Sequence, residues 1–351
     1  MRWEGQRITG DDGAPESSPL LPLAGLVRTV RTPDFAGITF HEVAAKSVLN
    51  RVPPTSSMPF SWTINPFRGC SHACVYCFAR KTHSYLDLDT GLDFDAQLVV
   101  KINAAEVLAR ELGKPSWARE HVALGTNTDP YQRAEGRYRL MPGIISALAD
   151  SGTPFSILTK GTLLARDIPL LTAASRSVGV GVGISLALVD PVLAEAIEPG
   201  TPAPKARLAL ISRLREAGLP CGVMAMPILP WLTDGDASLD ELFGALVDAG
   251  ATGVTAGPLH LRPGSREWFM QWLAAHHPQL VPRYQELYRG GSYASKEYRE
   301  WLSGRIRVFR RKHGLVAGAG FFRNLSAEGS PGADAVVPIA PAPDPVQASL
   351  F

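Results

Sequence analysis

From residue 148 onward the chain repeats one pattern, a helical segment closed by glycine and followed at once by a β-branched run. Leu148-Ala149-Asp150-Ser151-Gly152 precedes Phe155-Ser156-Ile157-Leu158-Thr159-Lys160. Leu214-Arg215-Glu216-Ala217-Gly218 precedes Gly222-Val223-Met224-Ala225-Met226, and Leu246-Val247-Asp248-Ala249-Gly250 precedes Gly253-Val254-Thr255-Ala256. Glycine just past a helix end is a common C-cap, and strands alternating with helices imply a parallel sheet. The pattern predicts six strands, at 63–69, 121–125, 153–159, 178–186, 221–228 and 252–259. Between the fourth and fifth, Leu208, Ile211 and Leu214, with Leu210 alongside, form a one-sided stripe that faces a sheet. The fourth strand alternates glycine with β-branched residues from Val178 to Ile184. Its glycines lie inside a strand and not on the turn that opens a helix, so it is not a dinucleotide-binding loop.

The flanks read differently. Residues 1 to about 38 carry acidic and Pro/Ser-rich patches such as Asp11-Asp12-Gly13-Ala14-Pro15 and are expected to be mostly irregular. Val43, Ala44, Val48 and Leu49 suggest a short strand and helix over 38–50, followed by a Pro-rich connector at 51–58. From Pro282 to Leu315 the chain turns basic and aromatic, and 325–351 is a Ser/Gly/Pro/Ala tail expected to be disordered.

Composition narrows the class. With 45% hydrophobic and 19% charged residues the 351-residue chain is globular and can bury a sizeable core. A net charge of +2 is too mild to identify a nucleic-acid partner, so that evidence must come from local clustering. Four cysteines, three of them clustered, are no disulfide framework and fit a reducing cytoplasm. The N-terminal residues lack the apolar stretch of a signal peptide, and no uninterrupted apolar run reaches the ~18 residues of a membrane span.

The chemistry concentrates in Cys70-Ser71-His72-Ala73-Cys74-Val75-Tyr76-Cys77, spaced C-x3-C-x2-C. Iron–sulfur clusters are usually held by four thiolates, so a three-cysteine loop leaves one iron open, as catalytic zinc sites keep an open position. The alternative is zinc on the three sulfurs and either His72 or His83. Structural zinc sites, however, commonly use two separated ligand pairs, and the chain has no second pair.

This spacing, with Tyr76 just before the last cysteine, resembles the radical S-adenosylmethionine superfamily. The longer run from Ile64-Asn65-Pro66-Phe67-Arg68-Gly69-Cys70 to Tyr76-Cys77-Phe78-Ala79-Arg80, with Leu124-Gly125-Thr126-Asn127-Thr128-Asp129-Pro130-Tyr131, is similar to the spore photoproduct lyase-like branch. The resemblance covers roughly residues 45 to 265. It implies an α/β fold, a partial (βα)6 barrel of the radical S-adenosylmethionine type with an irregular N-terminal arm and a helical C-terminal extension. The expected division is 1–58 arm and connector, 59–265 core, 266–323 basic and aromatic extension, and 324–351 tail.

The resemblance further implies a 4Fe-4S cluster on Cys70, Cys74 and Cys77, S-adenosylmethionine on its open iron, and a reductant protein such as flavodoxin or ferredoxin. The family's cofactor-binding positions fall on Tyr76, Thr126, Asn127, Lys160 and Ser185: Thr126 and Asn127 toward the methionine amine, Lys160 toward its carboxylate, Ser185 toward the ribose. Read without the family, 126–131 is a polar loop capping the next helix, with Asp129-Pro130 as its start, and Lys160 a solvated loop residue. Glu198 and Arg207 are secondary cofactor-site candidates or surface ion-pairing groups, and His260 and Arg262 are candidates to face substrate. One departure stands out. The branch's hydrogen-donor cysteine near the end of the second strand is replaced by Thr126-Asn127-Thr128, and Cys221 begins the fifth strand, at the wrong end.

Arg283, Arg289, Lys296, Arg299, Arg305, Arg307, Arg310, Arg311 and Lys312, interleaved with Tyr284, Tyr288, Tyr293, Tyr298 and Trp301, could bind DNA or another nucleic acid through phosphates and base faces. They could equally be amphipathic helices whose aromatics pack inward. The final Gln347-Ala348-Ser349-Leu350-Phe351 resembles the bacterial sliding-clamp-binding motif, an apolar pair on a polar tail.

Overall fold

The computed structural model describes residues 25–56, 58–315 and 317–318. Eleven strands are formed among them: β1 Leu26–Val30, β2 Thr39–Val43, β3 Leu49–Arg51, β4 Trp62–Ile64, β5 Phe67–Arg68, β6 Gln97–Lys101, β7 Val122–Leu124, β8 Phe155–Thr159, β9 Val180–Ser185, β10 Cys221–Ile228 and β11 Gly253–Pro258. The sequential alternation read from the sequence governs the larger sheet, whose order is β11-β10-β9-β8-β7-β4-β3. From β4 to β11 neighbours are parallel and follow chain order, and β3 adds an antiparallel edge. All six β9 residues are buried, as expected of a parallel strand covered on both faces. The covering helices include Ala104–Leu112, Leu140–Asp150, Ile168–Ala174, Pro204–Glu216 and Asp236–Asp248.

Two expectations are corrected. The first expected strand, 63–69, is broken at Asn65-Pro66: β4 lies in the main sheet, while β5 pairs with β6 in a second sheet of order β1-β2-β6-β5. Proline cannot donate to a ladder, and here the chain changes sheets. The arm also differs from an irregular lead-in. Leu26–Val30 pairs antiparallel with Thr39–Val43, and the 38–50 segment holds two strands and no helix. The buried Thr39, His41 and Glu42 explain this: His41 bonds Gln97 at 2.9 Å and Glu42 pairs with Arg28 at 2.7 Å, satisfying polar groups on strands instead of a helix face.

The last described helix, Lys296–Lys312, buries Leu302 and Ile306 in the main core, so it closes the sheet's flank. The terminal pentapeptide 347–351 and the 325–351 tail lie outside the described residues. No described helix is long and apolar enough to cross a membrane.

Candidate functional site

The cysteine loop leaves β5 and is fixed by backbone bonds at almost every residue. Cys70 N–H donates to Phe94 O at 3.0 Å, Val75 N–H to Ile197 O at 2.9 Å, and Gly200 N–H to His72 O at 3.1 Å. Buried Gln132 clamps the entry from both sides, accepting from Ser71 N–H at 2.8 Å and donating to Gly69 O at 3.1 Å. Arg80, fully buried, donates to the carbonyls of Cys74 and Gly91 at 3.2 and 2.7 Å and pairs with Asp95 at 2.9 Å. Its guanidinium also lies over Phe94 and Trp268, at 5.2 and 4.9 Å. At Gly200 a Cβ would stand 1.9 Å from Ser71 O, so only glycine allows the 197–200 segment to press on the loop.

All three loop cysteines are free thiols, Cys70 and Cys74 buried and Cys77 half-buried. Burial raises the Cys74 thiol well above its ordinary value and pushes Cys77 up to about 11. Holding thiolates here therefore calls for a metal, whose binding releases their protons. Among the described residues no three His, Cys, Asp or Glu side chains converge on a single ion. Of the two histidines, His83 Nε2 is engaged with Gln97 O at 2.9 Å, and His72 Nδ1 faces Asp129 at 3.3 Å. Burial would lower His72, but Asp129 and then Cys70 outweigh it and raise it to about 10.

The parallel strands end on this loop's side. β8 delivers Lys160, whose Nζ donates to Ser185 Oγ at the end of β9 (2.5 Å), stands 3.7 Å from Glu198 and lies over the Tyr76 ring at 5.8 Å. Glu198 accepts from Tyr76 OH and pairs with Arg207 at 2.7 Å, and Arg207 also donates to Ser185 O at 3.1 Å. Burial opposes the Glu198 charge, but Lys160 and Arg207 hold its carboxyl below the ordinary value. Glu198 and Arg207 are thus a buried pair joining Tyr76, Lys160 and Ser185 and not surface ion-pairing groups. The sequence carried a signal for Arg207: it sits three and four residues before Leu210 and Ile211, on the buried stripe of helix Pro204–Glu216.

Gly125 follows β7, with φ +81 and a Cβ position 1.8 Å from Leu158 O, so the turn onto the rim requires glycine. Thr126 and Asn127 follow it half-exposed, and their side chains form no hydrogen bond among the described residues. Thr128 is structural, donating to Phe67 O at 2.8 Å. Asp129 reaches across to β8, accepting from Lys160 N–H at 2.6 Å and Thr159 OH at 2.5 Å. It joins the lysine's strand end to His72 in the cysteine loop. Sequence reasoning did not find this link, nor Gln132 and Arg80.

Cys221 is buried at the start of β10, where burial pushes its thiol up to about 12. Arg262 lies over Phe78 at 5.6 Å, next to the cysteine loop, while the His260 ring packs on Tyr293 at 4.6 Å. The basic and aromatic extension divides. Tyr284 and Tyr288 are wholly buried, donating to Pro230 O and Leu259 O, both at 2.8 Å, so these aromatics are core and not base platforms. Lys312 pairs with Asp240 at 2.7 Å and Arg305 with Asp236, whereas Arg299, Arg307, Arg310 and Arg311 have no carboxylate partner among the described residues.

A parallel sheet whose strand ends face a three-thiol loop and a lysine–carboxylate network is the layout of an enzyme that sets a metal group against a small charged molecule. The family model that fits is that of the radical SAM superfamily, matching residues 64–243, and the chain belongs to that superfamily. An uncharacterised protein of Mycobacterium tuberculosis is 59% identical over 90% of this chain and 94% of its own. One from Methanocaldococcus jannaschii is 26% identical over 58% of this chain and 73% of its own. Among solved structures, spore photoproduct lyase complexed with dinucleoside spore photoproduct matches with TM-score 0.58 and 15% identity, covering 79% of this chain and 80% of the other. At that identity the likeness speaks for the fold.

Proposed function

We propose that the protein is a radical S-adenosylmethionine enzyme that holds a 4Fe-4S cluster on Cys70, Cys74 and Cys77 and acts on nucleic acid in a repair-like reaction. The observation that carries the cofactor assignment is the meeting of a three-thiol loop with Lys160, Thr126 and Asn127 at neighbouring strand ends. When bound, the reduced cluster supplies the electron that cleaves the sulfonium to a 5'-deoxyadenosyl radical. The chain's own residues do the positioning. Lys160 would offer its ammonium to the methionine carboxylate, Thr126 and Asn127 their unengaged oxygens to the amine, and Ser185 its hydroxyl to the ribose. Tyr76, tied to Glu198, walls the site.

The nucleic-acid assignment draws on the four unpaired arginines of helix Lys296–Lys312 and on the dinucleoside lesion held by spore photoproduct lyase. The reaction differs from one that returns hydrogen from a rim thiol. Of the four cysteines, three are in the loop and Cys221 is buried at the far end of its strand. A flavodoxin- or ferredoxin-like reductant supplies the electron, and the 347–351 motif recruits the protein to a sliding clamp; a labelled peptide of that sequence that fails to bind the clamp at high micromolar concentration retires the second partner.

Anaerobically reconstituted protein is expected to cleave S-adenosylmethionine reductively. A Cys74→Ala variant that cleaves at the full rate would remove the cluster from the mechanism. Affinity for single-stranded DNA is expected to fall steeply as salt rises. Salt-independent binding, or none, would move the substrate to a peptide or another class.

A further inference from the structure

A recess of about 450 Å³ opens beside the end of β10, walled by Trp231, Tyr298 and Trp301, with Asp234 and Arg305 among its polar atoms. It does not include the cysteine loop, Lys160 or Ser185. Its aromatic walls are held at angles to one another, Tyr298 and Trp301 with centroids 5.4 Å apart and Trp231 and Tyr298 6.4 Å apart. Trp301 is 46% exposed, unlike the tyrosines that pack inward.

Trp231 is built into this place against a backbone preference. Its φ of 60° is a region L side chains avoid. Three contacts hold it: Asp234 Oδ1 accepts its backbone N–H at 2.9 Å, Arg283 covers its ring at 4.6 Å, and Tyr284 meets it edge-on at 5.4 Å. Such strain persists only where the surroundings over-determine it, as these three contacts do. Arg305 pairs with Asp236, and its guanidinium lies over Trp301 at 4.7 Å.

The charge pattern selects the occupant. Two guanidiniums already lie against the two tryptophan rings, so a quaternary ammonium or other cation, the usual guest of an aromatic cage, would be repelled. A flat neutral ring suits the aromatic walls. On the same helix as Trp301 and Arg305, Arg299, Arg307, Arg310 and Arg311 are free to take phosphates. We infer that this recess stacks one unpaired base of a single-stranded nucleic acid, outside the cofactor site, and so fixes where the strand enters the rim. This rests on the nucleic-acid reading above and adds a site to it.

The test uses reconstituted full-length protein and a labelled single-stranded oligonucleotide of about 12 nucleotides, alongside an abasic strand of the same length. Trp301→Ala is expected to weaken binding of the normal strand about tenfold or more and to leave the abasic strand unaffected, with Trp301→Phe recovering most of the loss. Equal binding of the normal strand by Trp301→Ala and wild type overturns the stacking site while leaving nucleic-acid binding intact. So does an equal loss on both strands, or displacement of the strand by an aromatic-rich peptide with wild-type affinity unchanged by bases. If the wild-type protein binds neither strand even at low salt, the nucleic-acid reading falls and the recess with it.

Discussion

Glu198 is the residue on which the rim's order most depends, because one buried carboxylate holds Tyr76, Arg207 and, at 3.7 Å, Lys160. Breaking a buried pair costs more than the pair is worth, since the remaining charge is left without water. Glu198→Gln is therefore expected to destabilise the protein by about 3–5 kcal/mol in denaturant unfolding; a loss below about 1 kcal/mol would mean that Arg207 finds water or another partner. Gly200 acts by what it lacks. Gly200→Ala would push Ser71 and with it the cysteine loop, and the expected result is a marked fall in iron and sulfide after reconstitution with the fold retained in circular dichroism. His121 gives a pH signature. Burial lowers it to about 4, and neither ring nitrogen has a partner among the described residues. A depressed histidine contributes stability that is present above its ordinary value of 6.5 and lost as pH falls toward 4. The melting temperature should thus drop through that window in wild type and drop less in His121→Phe.

At the scale of elements, the pattern of glycine-closed helices and β-branched runs was enough to place the parallel strands, and 221–228 matches β10 at both ends. It failed where tertiary pairing decides. Asn65-Pro66 looks continuous with its strand, yet the two sides of the proline belong to different sheets, and Leu26–Val30 is a strand only because β2 stands beside it. The cysteines were legible because their spacing is local. The His72–Asp129 and Tyr76–Glu198 contacts join residues 57 and 122 positions apart, which no short motif records. For the basic extension both readings hold in part, its tyrosines mostly inward and several arginines outward. Helix Lys296–Lys312 is accordingly structural as well as charged. Leu302→Ala, emptying a wholly buried site, is expected to cost about 2–5 kcal/mol in a single cooperative transition; a neutral effect would make the helix a detachable appendage.

Across the whole molecule, six parallel strands in chain order bring residues from 64 to 262 to one rim. There the second sheet, through β5, presents the cysteine loop against the strand ends. The Trp231 recess and the first turns of helix Lys296–Lys312 lie near the end of β10, and the helix then runs alongside Asp236–Asp248 toward the start of β11. The measurement that bears most directly on this arrangement is electron paramagnetic resonance of the anaerobically reconstituted, dithionite-reduced protein, taken with and without S-adenosylmethionine. The expected result is a 4Fe-4S signal that changes when S-adenosylmethionine is added and is lost in Cys74→Ala. A preparation with one zinc per chain and no sulfide, or a cluster signal indifferent to S-adenosylmethionine, would contradict it.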